Sequence, residues 1–277
     1  MHKYGKRIDK NIVALISGLA IIAAIGIAAV VWIVSINPLK DVDVATFCRT
    51  KGDRSVTLVL VDATDPLTVA QDQRLKAQLM LLRDGLPRFD RIVLYAIDST
   101  KPDGVGKPLV DACNPGKASD IDELRETARI VQDKYNKLFD TPFQKALKQI
   151  MAAQTQDRSP ILEAIDAATN RTFGSLKPDP RLSKRIIIIS DMLQNTNDLT
   201  FYSGQVPQFP EFNSSDAFRL HRPSLSGVSL VVWEINRPTR SIAERSIRRS
   251  EIARFWSNYF KAEGAVLSAT YWDATKI

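Results

Sequence analysis

Histidine and cysteine are almost missing from this chain, with two of each among 277 residues. His2 and His221 are too few for a histidine-based metal site or a convincing Ser-His triad. Cys48 and Cys113 offer neither the spacing of a zinc site nor a CxxC motif. No glycine-rich phosphate loop appears either, which removes the usual nucleotide-binding signatures. Internal repeats and low-complexity tracts are also lacking, so repeat architectures are out. The net charge of +7 is modest and uneven. Part of it is a cationic leading tail and much of the rest falls in residues 237–261, so nucleic acid is not an expected partner.

What the chain does have is one long apolar run. Residues 12–36 hold no charge, and serine occurs there only at Ser17 and Ser35. As a helix the run is about 37 Å long, enough to cross a hydrocarbon core of about 30 Å with some tilt. The apolar part of a cleaved signal peptide is usually only about 7–15 residues. The run therefore reads as a retained single-pass anchor, residues 12–36. Lys3, Lys6, Arg7 and Lys10 precede it, whereas Lys40 is faced by Asp41 and Asp43. By the positive-inside rule residues 1–11 are a cytoplasmic tail. Residues 37–54 are then a short connector, and residues 55–277 a domain on the periplasmic or extracellular side of the cell (inner) membrane. Two cysteines in an exported domain are more often bonded than free, so a Cys48–Cys113 disulfide is expected.

Beyond the connector, strand-like and helix-like stretches alternate. Residues 56–61 form a valine-rich run that stops on Asp62. Such a run suits a strand buried on both faces of a parallel sheet. Asp65, followed by Pro66, reads as the cap of the next helix, which Gly85 and Pro87 end. Residues 91–97 are a second buried strand, ending at Asp98. Residues 109–112 can return as an antiparallel edge strand, which would bring Cys113 back to the sheet edge near Cys48. Residues 119–156 are the longest helical stretch, with Ile121, Leu124, Ala128 and Val131 on one stripe and a break at Thr141-Pro142. Ser159 caps another helix that has Pro160 in its first turn. Residues 185–190 are a third buried strand, ending on Asp191. A long, mostly irregular segment at 194–227 follows, then a strand at 228–233, an amphipathic helix at 241–262 and a last strand at 265–272. This order implies an α/β fold, a doubly wound, mostly parallel sheet with helices on both faces.

In such a sheet the carboxyl ends of the strands share one edge, where ligands bind. Asp62 and Thr64 follow the first strand, Ser159 opens a helix and Asp191 follows the third buried strand. On these residues the chain resembles a von Willebrand factor A-type (VWA) domain, over roughly residues 55–272. That family builds a metal-ion-dependent adhesion site from an Asp-x-Ser-x-Ser loop, a later Thr and a final Asp. By this resemblance Asp62 matches the first aspartate, Thr64 the first serine, Ser159 the threonine and Asp191 the last aspartate. Pro66 replaces the second serine and offers no ligand. The resemblance implies Mg²⁺ or Mn²⁺ as cofactor, held by oxygen alone, and another protein as partner in a membrane-associated complex. Phe201, Tyr202, Phe209, Phe212 and Phe218 either contact that partner or fold back onto the domain. A structural subunit with a non-functional metal site is the alternative.

An enzyme is not expected. The remaining catalytic reading makes Asp62 a phosphoryl-transfer nucleophile, as in haloacid-dehalogenase-like phosphatases. Those enzymes carry a second aspartate two positions on, where this chain has Thr64.

Overall fold

The computed structural model describes residues 10–35, 39–121, 126–203, 205–236 and 249–267. The chain divides into two units, Met1–Val42 and Asp43–Ile277. The first holds α1, Lys10–Ser35, a helix of 26 residues. Its stretch Ala14–Trp32 has a mean hydropathy of 2.7, long and apolar enough to cross a membrane. Leu15, Ile22 and Trp32 on it are exposed.

Among the described residues the second unit is built on six strands in the order β3-β2-β1-β4-β5-β6. They are β1 (Ser55–Asp62), β2 (Arg91–Ile97), β3 (Val110–Cys113), β4 (Ser183–Ser190), β5 (Val228–Glu234) and β6 (Val266–Leu267). All neighbours run parallel except β2 and β3, which pair antiparallel from Arg91↔Cys113 to Leu94↔Val110. The central strands are apolar at successive positions because both of their faces are covered. Leu58, Leu60, Ile186 and Ile188 point to one face, where they meet Ile161 and Ile165 of α5 (Ile161–Phe173) and Trp256 of α8 (Arg249–Ala262). Val59, Val61, Ile187 and Ile189 point to the other. There they meet Leu75 and Leu79 of α2 (Val69–Asp84), Tyr135 of α3 (Ala128–Tyr135) and Phe143 of α4 (Thr141–Met151). Each such side chain, fully removed from water, contributes on the order of 2 kcal/mol.

The helix boundaries correct four expectations. The cap of α2 is Thr68, not Asp65. Thr68 Oγ1 accepts the Gln71 amide at 3.3 Å, and Gln71 Oε1 accepts the Thr68 amide at 3.1 Å, closing a capping box. Ser159 caps nothing: the residue before α5 is Pro160, which makes no side-chain cap bond, and the free Leu162 amide at that helix start is taken by Gln194 instead. The long helical stretch begins as a 3₁₀ turn at Ala118–Asp120, and the α-helix starts only at Ala128. Ile121 follows that turn, while Leu124 lies outside the described residues. Finally, Thr141-Pro142 does not break the helix. The turn Asn136–Asp140 widens to π geometry just before Pro142, and the Thr141 amide bonds the Asn136 carbonyl. A widened turn carries the chain past a residue that lacks an N–H, so α3 runs into α4. The parts of the expected final helix and strand at 241–248 and 268–272 lie outside the described residues.

Residues 43–54 are tied into the second unit. Cys48 is disulfide-bonded to Cys113, with Cα atoms 5.1 Å apart, and Phe47 is buried. Arg91 clasps Asp111 at 2.7 and 2.8 Å and reaches Asp53 at 3.4 Å. Asp111, with Asp53 behind it, holds the guanidinium's pKa above its usual value against the cost of burial.

Candidate metal centre at the carboxyl edge of the sheet

The order reverses between β1 and β4, whose carboxyl ends lie side by side, with Val61 opposite Ile189. This reversal is where open sheets place ligands. Four hydrogen bonds lace the surrounding segments. Ser190 Oγ at the end of β4 donates to Asp62 Oδ2 at 2.7 Å. The Gln156 amide, in the segment leading to α5, donates to the Thr64 carbonyl at 2.8 Å. Ser159 and Asn195 exchange backbone bonds of 3.0 and 2.9 Å, which fasten the start of α5 to the loop after β4. The segments carrying Asp62, Thr64, Ser159 and Asp191 therefore converge.

Asp62 is 2% exposed. Its Oδ1 accepts the Thr64 amide at 3.0 Å and the Thr64 hydroxyl at 2.6 Å. With Ser190 on Oδ2, three donors of the chain hold one buried carboxylate. Thr64 and Ser190 give their only hydroxyl protons to Asp62, which leaves oxygen lone pairs as acceptors. One pair on Ser190 already takes the Met192 amide at 2.8 Å. The Ser159 hydroxyl is buried and has no hydrogen-bond partner. A buried hydroxyl left unpaired costs on the order of 1–3 kcal/mol, so its bareness needs a reason. Asp191 is half-buried and its Oδ1 accepts the Leu193 amide at 3.0 Å. Pro66 is exposed.

The turn that presents Asp191 is held firmly. Met192 has φ of +61°, a left-handed backbone that a residue with a Cβ rarely adopts. Its carbonyl accepts the buried Trp256 indole at 2.9 Å. Gln194, fully buried, accepts the Leu162 amide at 2.8 Å and donates to Glu163 at 3.0 Å. On the flank of the edge, Asp98 accepts from Gln156 Nε2 at 3.2 Å and from the Thr100 amide at 2.9 Å. Burial pushes its pKa up, but the bonds from Thr100 and Gln156 and the charge of Lys101 bring it below the ordinary value.

Neither a protein-family model nor a curated protein matches the chain. Among solved structures it is similar to the conserved hypothetical protein BatB from Bacteroides thetaiotaomicron. That likeness has 16% identity over 66% of this chain and 68% of the other, at a TM-score of 0.32. It is also similar to an aerotolerance-related membrane protein from Bacteroides fragilis NCTC 9343 that carries multiple mutations to serines. There the identity is 14%, over 76% of this chain and 94% of the other, again at 0.32. A TM-score of 0.32 is too low to carry an argument about function.

Two features were not read from the sequence. Ser190 is the last residue of its strand, and a polar residue closing an all-isoleucine run is itself a signal. The second is a group formed by Glu163, Asp198 and His221, whose ligand atoms lie within 4.8 Å of one another. Its members come from α5 and from two parts of the long 194–227 segment, so no local spacing reveals it. That segment also settles its aromatics. It holds two short helices, α6 (Phe209–Asn213) and α7 (Asp216–Leu220). Phe201, Phe212 and Phe218 are buried, and Phe209 packs edge-on to Phe218 and Phe255. Tyr202 is half-buried. The phenylalanines thus fold back onto α8 and form no exposed contact patch.

Proposed function

We propose that this chain is a membrane-anchored protein-interaction module with a doubly wound, VWA-like domain. In this reading Asp62, Thr64, Ser159 and Asp191 hold Mg²⁺ or Mn²⁺, and a partner protein completes the coordination with a carboxylate. The donors are all oxygen, which suits these hard cations. The observation that supports the reading best is the Ser159 hydroxyl, buried without a partner on a segment bonded to the loop after β4, while Asp62 orients the hydroxyls of Thr64 and Ser190. Asp62 acts here through its hydrogen bonds, setting the lone pairs of Thr64 and Ser190. Pro66 leaves one position to water, which Mg²⁺ commonly retains. Binding is therefore weak in the isolated chain and tightens when the partner docks. The apolar α1 serves as the anchor, with the second unit on the periplasmic or extracellular side.

The test is calorimetric titration of the full-length chain in mild detergent with Mg²⁺ and Mn²⁺, beside Asp62→Ala and Asp191→Ala. Saturable heat in the parent chain and its loss in both variants is the expected result. Absence of heat, with a co-purifying partner retained by both variants, would sink the metal-dependent reading.

A second reading keeps the fold and drops the ion, making the chain a structural subunit of a membrane complex. It is favoured by the three donors that already satisfy Asp62 without a cation. Under this reading the partner survives chelator washes; under the first it is released by them.

A further inference from the structure

We propose that Glu163, Asp198 and His221 form a second cation site, distinct from the oxygen site and suited to a transition-metal ion of the Zn²⁺ type. The donor set differs in kind. Two carboxylates and one imidazole favour zinc and its neighbours, whereas Mg²⁺ prefers oxygen alone. The geometry is close to what such an ion needs. Donors held tetrahedrally at about 2.0–2.2 Å lie about 3.3–3.6 Å apart, and these lie within 4.8 Å. Side-chain adjustment of about an ångström closes the shell.

The surroundings support an ion in three ways. First, His221 Nδ1 is buried and makes no hydrogen bond, although the ring is fixed from its backbone. The His221 amide bonds the Ala217 carbonyl at 3.2 Å, and its carbonyl accepts the Tyr259 hydroxyl at 2.9 Å. Second, an outer layer is already in place. Gln194 Nε2 donates to Glu163 at 3.0 Å, while Asp166 Oδ2, 3.7 Å from His221 Nδ1, adds negative charge without a hydrogen bond to that nitrogen. Partners of this kind orient the ligands of natural metal sites. Third, negative charge is in excess. Among the described residues no lysine or arginine forms an ion pair with Glu163, Asp166 or Asp198, so three carboxylates surround one imidazole. A divalent cation removes the repulsion that such a cluster otherwise carries. Asp198 is exposed, so the fourth position opens to solvent and takes water or a ligand from outside.

The experiment uses the full-length chain in mild detergent with His2→Ala, so that His221 is its one histidine. Both cysteines are in the disulfide and supply no thiolate. Equilibrium dialysis against ZnCl₂, with metal analysis, should give one Zn²⁺ per chain, and Co²⁺ loading should give visible d–d absorption. Losing an outer partner typically costs 10–100-fold in metal affinity, so His221→Ala and Asp198→Asn should each cost about 100-fold or more. Asp216→Asn, on an exposed carboxylate of α7, should leave affinity unchanged. Asp198 lies on the surface, so its variant reports on the ion even if removing His221 disturbs folding. Less than one bound Zn²⁺ per chain, or parent-like affinity in Asp198→Asn, would overturn the proposal. Because the readout is zinc, failure of the Mg²⁺ titration leaves it standing.

Discussion

Replacing Cys48 and Cys113 together by serine removes the link between the segment before β1 and the end of β3. The bond spans 65 residues of sequence. In the chain-entropy account, freeing a loop of that length stabilises the unfolded state by about 4 kcal/mol. The folded side loses less, because Phe47 stays buried against its neighbours and Arg91 still bridges Asp53 to Asp111. For a unit of more than two hundred residues each kcal/mol moves the midpoint by about 2–4 °C, so a drop of about 8–16 °C is expected. The assay is thermal unfolding of the full-length chain followed by near-ultraviolet circular dichroism. The parent under reductant and the double serine variant should fall together. An unchanged midpoint in the variant would refute the reasoning, since it would mean the unfolded chain is not constrained by the link.

Gly104 and Gly227 separate conformational strain from contact. Both have positive φ, +79° and +68°, but a Cβ on Gly104 would lie 3.0 Å from the Pro160 carbonyl, whereas Gly227 has open space. Gly104→Ala should destabilise by about 1–3 kcal/mol and Gly227→Ala by less, read from urea unfolding; equal losses would remove the contact from the account. Asp98 tests pH dependence. Its folded pKa is depressed, so its share of stability is present above the unfolded value of about 3.9 and is lost as pH falls through the folded value. Asp98→Asn should therefore flatten that acid limb of a stability–pH curve, and an unaltered limb would contradict the assignment.

The central strands were legible because burial on both faces forces an unbroken apolar run, as in the isoleucines of β4. The return of β3 was legible too, and with it the pairing of Cys48 and Cys113, since an antiparallel edge strand carries Cys113 back to the amino-terminal edge. Helix starts were not. Asp65 and Thr68 both precede the same helix, and only the reciprocal bonds with Gln71 decide between them. The pi turn before Pro142 is a backbone accommodation with no composition of its own. At the carboxyl edge of the sheet, the position of Asp62 after β1 was legible but not its pairing with Ser190. Ser190 reaches Asp62 only because β4 lies beside β1 in register. His221 meets Glu163 and Asp198 through the folding of a segment that has no periodicity.

The link between Cys48 and Cys113 also has a mechanical meaning. Tension drawn along the chain from α1 reaches the second unit at Cys48, before β1. The covalent bridge passes that load directly to Cys113 at the end of β3. The loop between them, with β1, α2 and β2, is left out of the load path. The strand that carries Asp62 is thereby shielded from pulling, and reduction would put it in series with the force.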